Sequence, residues 1–153
     1  MRTSALRAPG EPAGWFASES FVDEIAFALG ADAFQFRLRQ LTGNQRAAEL
    51  LQATVMKSGW KERPSPSQAS GEPKSVGRGL ALIARGNTLV AAVAEVEVDR
   101  SRGIVAVKRM TVGHDCGLII NPDGLNIRCS VTSGHDIGLG LGLDTAKYRC
   151  PGD

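Results

Sequence analysis

The chain has 153 residues, of which 42% are hydrophobic, 22% charged and 5% aromatic, a globular balance that excludes wholesale disorder and leaves room for about one domain. Its net charge is +2, and the surplus falls within residues 61–78, so no structured part carries the basic footprint of a nucleic-acid binder. The longest uncharged run, Gly86 to Ala94, is far short of the about 20 residues of a membrane helix, and Met1 to Arg7 lacks the apolar core of a signal peptide, so the chain expressed as it stands is expected in the cytoplasm.

Three helices are predicted in residues 12–59. Gly10-Glu11-Pro12 reads as a helix start, because proline suits the first helical position and an acid complements the dipole there. Val22, Ile25, Ala26 and Leu29 follow helical spacing, with Trp15 near the same stripe and Asp23 and Glu24 off it. Asp32 can cap a second helix with Phe34, Leu38 and Leu41 on one side. Asn44 can cap a third, with Ala47, Leu50, Leu51 and Val55 inward and Gly59 after it. Residues 61–76, rich in proline and serine, read as a surface connection.

After Gly77 the apolar period shortens to that of strands. Leu80 to Ala84, Thr88 to Val98 and Ile104 to Val112 are the predicted strands of a β region spanning 79–113, and Asp99 to Gly103 is a hairpin turn. Glu95 and Glu97 alternate with Ala94, Val96 and Val98, which predicts one polar face and an antiparallel sheet covered on one side. The fold class is therefore α+β, a three-helix cluster followed by an antiparallel sheet. Residues 114–125 read as a turn region, with Asn121-Pro122-Asp123-Gly124 a turn or helix start. From 126 to 153 glycine alternates with large apolar residues, and this tail is expected to lack stable packing.

The chemistry-bearing motifs divide unevenly. His114-Asp115-Cys116 are neighbours, and adjacent residues on a strand face opposite ways, so a turn accounts for them better than a metal site. Cys116, Cys129 and Cys150 are odd in number and lack metal-type spacing. Glu95 and Glu97 read as a solvated strand edge, not an acid–base pair. Gly138 to Gly142 lacks the lysine and the flanking strand and helix of a phosphate loop. Arg7-Ala8-Pro9-Gly10-Glu11-Pro12 is the most informative stretch, because a guanidinium and the free N–H groups of a helix start together suit a phosphate or another polar cofactor edge.

Two stretches resemble the large subunit of the molybdenum hydroxylases, the xanthine dehydrogenase and aldehyde oxidase family, and most nearly its isoquinoline 1-oxidoreductase type. The first runs from Arg2 through Arg7-Ala8-Pro9-Gly10-Glu11-Pro12 to Glu24. The second covers Gly79 to Leu125, including Ala91 to Val98 and His114-Asp115-Cys116-Gly117-Leu118-Ile119-Ile120-Asn121-Pro122-Asp123-Gly124. The resemblance implies that residues 1–125 are part of a molybdopterin-binding domain, with Arg7, Ala8 and Gly10 on the cofactor and Pro9 on the substrate side, where relatives carry an aromatic. It implies an oxidoreductase that hydroxylates an N-heterocycle or aldehyde with oxygen from water, using a molybdenum–pterin cofactor, a catalytic glutamate and electron exit through an iron–sulfur subunit.

The family's glutamate motif has no counterpart in this chain, and after Leu125 the likeness fades, as a frameshift or degraded gene end would explain. No catalytic residue and no protein metal ligand is therefore assigned. The expectation is an internal fragment, inactive alone, whose partners are the missing parts of the large subunit, the iron–sulfur subunit and a small-molecule substrate. A non-catalytic remnant or a small binding module is the alternative.

Overall fold

Three helices followed by a four-stranded sheet make up the computed structural model, which describes residues 10–64, 73–121 and 123–124 and the backbone of 143–147. Helix α1 spans Glu11–Ala28, α2 Ala33–Gln40 and α3 Gln45–Ser58. The α+β class and the order of its elements follow the pattern in the sequence. Both side-chain caps form: Asp32 Oδ1 accepts from the N–H groups of Phe34 and Gln35 at 2.9 and 3.1 Å, and Asn44 Oδ1 accepts from Ala47 at 3.1 Å. The second oxygen of Asp32 accepts from the Trp60 indole (3.1 Å) and the Arg63 N–H (2.9 Å), which ties the exit of α3 to the start of α2.

The sheet has the order β1 (Lys74–Arg85), β2 (Thr88–Asp99), β3 (Ile104–Asp115) and β4 (Leu143–Lys147). The first three strands are antiparallel neighbours, and β4 runs parallel to β3 from Met110↔Leu143 to His114↔Lys147. The turn after β2 is held by Asp99 Oδ1, which accepts from the N–H groups of Ser101 and Arg102 and from the Ser101 hydroxyl. Between Glu95↔Arg109 and Val96↔Val107 the register slips, leaving Lys108 as the extra residue of a bulge.

Three expectations change. β1 begins at Lys74, inside the predicted connection, because Lys74 pairs with Asp99 across the ladder. β3 continues through His114 and Asp115, so the turn starts later than Val112. The third concerns the tail, expected to lack stable packing: the backbone of Leu143–Lys147 adds a strand beside β3, and the rest of 126–153 lies outside the described residues.

The core lies between α2, α3 and one face of the sheet: Phe34, Ala47, Leu50, Leu51 and Val55 meet Leu80, Leu89, Ala91 and Val93. Burial of this apolar surface is the main force holding α3 to the strands. The closest approach is at Gly113, where an added Cβ would stand 1.9 Å from Thr54 Oγ1. The two ends of α3 are also pinned. Near its start Arg46 grips Asp115 of β3, and at its end Arg78 of β1 donates to the Gly59 carbonyl (3.0 Å) and Arg109 of β3 to the Ser58 carbonyl. Cations suit that end, where the helix carbonyls carry partial negative charge.

Candidate cofactor edge at the start of helix α1

Gly10 sits immediately before α1 with φ 77°, a backbone conformation that side chains resist. Pro12 follows at the position where a missing N–H costs nothing. Among the described residues no side chain caps the first turn, and Gly10 is exposed. The N–H groups there carry the positive end of the helix dipole. Beside them lies an open cleft of about 490 Å³, lined by Glu11, Gly14, Trp15 and Ser18 of α1, by Ala84 and Arg85 at the end of β1 and by Gly86 of the turn that follows. Arg85 lines it and pairs with Glu11 at 3.0 Å. The cleft can therefore offer a guanidinium and an indole, next to the helix start, to a polar, planar ligand. Of the residues assigned from sequence, Gly10 is placed here; Arg7, Ala8 and Pro9 lie outside the described residues.

α1 is joined to α2 and to the sheet by a polar cluster that sequence reading missed. Arg37 of α2 is 4% exposed and pairs with Glu19 (3.0 Å) and Asp23 (2.7 Å) of α1. Glu19 also accepts from the Leu82 N–H of β1 at 2.9 Å. The one visible signal was Glu19 and Asp23 one helical turn apart, a spacing shared by countless solvated faces.

The histidine motif is divided by the sheet. Asp115 is buried on the helix side, where Arg46 meets both of its oxygens at 2.5 and 2.7 Å and the Gly117 N–H bonds to it at 3.0 Å. Hydrogen bonding from Arg46 holds its carboxyl below the usual carboxylate range, against the opposing effect of burial. His114 points to the other face, and burial lowers its pKa; its buried Nδ1 has no hydrogen-bond partner among the described residues. Asp115 is thus a structural pin that also closes the turn. Among the described residues, no three His, Cys, Asp or Glu side chains gather as a metal site.

Glu95 and Glu97 are corrected. They are not on a strand edge, since β2 is flanked by β1 and β3, and they share the face of Leu89, Ala91 and Val93. That face passes beyond the cover of α3, and there it turns from apolar to ionic. Glu95 pairs with Arg78 at 2.6 Å, while Glu97 pairs with Lys108 at 3.1 Å and Lys74 at 3.4 Å. The Lys108 hydrogen bond, followed by that of Lys74, lowers the Glu97 pKa. Both carboxylates are thus engaged in ion pairs.

Comparison with known proteins gives these features a context. Residues 68–142 match the family model of a molybdopterin cofactor-binding domain. A nicotinate dehydrogenase subunit of Pseudomonas putida is 38% identical over 135 residues, covering 82% of this chain and 11% of its own length. An isoquinoline 1-oxidoreductase subunit of Brevundimonas diminuta is 35% identical over 108 residues, covering 71% and 13%. A membrane-bound aldehyde dehydrogenase of Gluconacetobacter polyoxogenes, whose name carries pyrroloquinoline-quinone, is 36% identical over 126 residues, covering 72% and 16%. The chain therefore spans between 11 and 16% of the length of these relatives.

Proposed function

We propose that this chain, which belongs to the molybdenum hydroxylase family, supplies one edge of the cofactor site in an oxidoreductase that hydroxylates an N-heterocycle or an aldehyde with oxygen from water. The observation that carries this reading is the 38% identity over 135 residues with a nicotinate dehydrogenase subunit. The cofactor is molybdenum–pterin, which when bound supplies a metal centre that delivers oxygen to an electron-poor carbon and takes up the electrons released.

The described residues fit one edge of such a group. The first turn of α1 and the side-chain-free Gly10 leave donors open to an anionic or carbonyl edge. Glu11 is engaged by Arg85, which tempers the one negative charge near those donors. By resemblance, Arg7 adds a bidentate guanidinium and Ala8 lies against the cofactor, while Pro9 borders the substrate. In this reading these groups bind and orient, and the family's catalytic glutamate is not among them. A general base typically contributes 10²- to 10⁴-fold, so the chain alone is expected to be inactive. The remainder of the large subunit and an iron–sulfur subunit complete the site in this reading.

The quinone in the name of the aldehyde dehydrogenase relative makes a quinone cofactor the second reading. The experiment is purification from cells that make both cofactors, with and without the co-expressed remainder of a large subunit. Molybdenum per chain, quinone absorbance and turnover of an N-heterocycle with a dye acceptor are then measured. Molybdenum and turnover in the assembled form alone are expected. Stoichiometric molybdenum with turnover from the 153 residues by themselves would overturn the fragment reading. Quinone without molybdenum would favour the second reading, and neither cofactor in the assembled form would favour a non-catalytic remnant.

A further inference from the structure

We infer that Arg37 is a positioning residue, which fixes the tilt and rotation of α1 and thereby the place of the cofactor edge at Gly10. What that edge holds rests on the function proposed above; the clamp itself rests on geometry. α1 has a thin apolar grip on the domain. Ala26 is its one buried residue and Trp15, Val22 and Ile25 are half-buried, whereas Phe16, Phe21 and Phe27 are 76, 61 and 60% exposed. Polar contacts reinforce that grip. Arg37 donates from Nε to Glu19 Oε2 at 3.0 Å, from Nη1 to Asp23 Oδ1 at 2.7 Å and to the Ala33 carbonyl at 3.2 Å, and from Nη2 to the Glu19 carbonyl at 3.2 Å. The Glu19 oxygen that meets Nε also accepts from the Leu82 N–H. One guanidinium thus locks α1 to α2 and, through Glu19, to the sheet.

Two features make this clamp set orientation as well as proximity. Glu19 and Asp23 lie one turn apart on α1, so gripping both constrains the helix along its axis and about it. A helix is also a stiff rod. At 1.5 Å per residue Gly10 lies about 13 Å from Glu19, so a tilt of about 10° there would carry the cofactor edge about 2 Å. Displacements of that size are severe for a site that works by geometry. The other attachment near the start, Glu11 to Arg85, is exposed at both partners and contributes little. Lysine cannot replace the arginine, because a single ammonium lacks the planar fork that reaches two carboxylates and two carbonyls together.

The test compares Arg37→Met, Arg37→Lys and Asp23→Asn with the unaltered protein; Asp23 is half-exposed, which keeps at least one variant readily foldable. Amide exchange is read in residues 11–28 and 45–58 of the 153-residue chain, and molybdenum–pterin occupancy is read in the assembled subunit. In Arg37→Met, exchange in α1 should rise about tenfold or more with α3 still protected, and occupancy should fall by about tenfold at limiting cofactor. Arg37→Lys should recover part of both, Asp23→Asn should show the smaller loss, and Glu97→Gln should change neither. Unchanged protection of α1, or a loosened α1 with full occupancy, would overturn the inference. Equal loss of protection in α1 and α3 would also overturn it, in favour of a general stabilising role. If the unaltered assembled subunit holds no molybdenum, the functional reading fails, and the exchange arm still decides whether Arg37 sets α1.

Discussion

Helices α3 and α1 meet the same sheet through different chemistry. α3 is keyed into it by volume: Leu50, Leu51 and Val55 fill the space over Leu80, Ala91 and Val93, and Gly113 leaves room for Thr54. Its pins at both ends add direction to a contact that burial already makes favourable. α1 touches the outer strand through carboxylates, and its large apolar side chains stay uncovered on more than one side. A helix apolar on several sides is built for burial on several sides. Among the described residues, one region therefore has its apolar face covered, and the other leaves large apolar side chains uncovered.

Substitutions can break or sharpen that contrast. The largest effect is expected from Leu50→Ala, which should cost about 2–5 kcal/mol in urea unfolding because it empties a fully buried site. A cost as small as that of an exposed residue would erase the distinction between the helices. Gly113→Ala should cost about 1–3 kcal/mol through overpacking. Because the intruding Cβ meets Thr54 Oγ1 first, adding Thr54→Ala should return part of that loss, and a double-mutant cycle would read the coupling.

Acid should act on the sheet end below α3. Asp115 has a lowered folded-state pKa, so its contribution is complete above the unfolded value of about 3.9 and is lost as pH falls through the folded value. His114 is also lowered, by burial. Its neutral form is favoured in the fold, and that contribution begins to fade as pH drops below the unfolded value of about 6.5. Unfolding midpoints measured from neutral pH down to about pH 2 should therefore decline in two stages, and Asp115→Asn should shrink the lower one, to which Glu97 and Asp99, whose carboxyls are also held low, contribute the rest. The smallest effect is expected at α1. Phe21→Ser and Phe27→Ser should change the stability of the chain alone by less than about 0.5 kcal/mol. The same substitutions should impair association with the remainder of a large subunit, measured by co-purification.

The readable parts of the fold were those with local causes. Asp32, Asn44 and Gly59 bound their helices from within a few residues, and the stripe from Ala47 to Val55 announced the buried side of α3. The alternation around Glu95 revealed two faces of β2 but put the glutamates on the solvated one, whereas their face is the one that runs beneath the helix. That depends on where α3 ends above the strand, a fact carried by packing and not by β2 itself. β3 was read too short because Asp115 is held by Arg46, 69 residues away. Arg37 passed unnoticed since a buried arginine is exceptional and its partners sit on another helix. At the candidate site, Gly10 before Glu11-Pro12 was legible as a helix start. The cleft beside it was not, because it needs Arg85 at the end of β1 and Gly86 after it, far along the chain.

Glu19 has one more consequence, for the behaviour of many molecules together. Among the described strands β1 is an outer one, and an outer strand offers unpaired backbone groups to any strand of a neighbouring molecule. At Leu82 the outward N–H is already taken by the Glu19 carboxylate, and Lys74, Arg78 and Arg85 distribute charge along the same strand. The side chain that anchors α1 thereby also guards the sheet against growing by strand addition. Glu19→Ala would remove that guard where Leu80 and Leu82 are apolar, and concentration-dependent assembly into β-rich aggregates, followed by light scattering, is the failure expected of it.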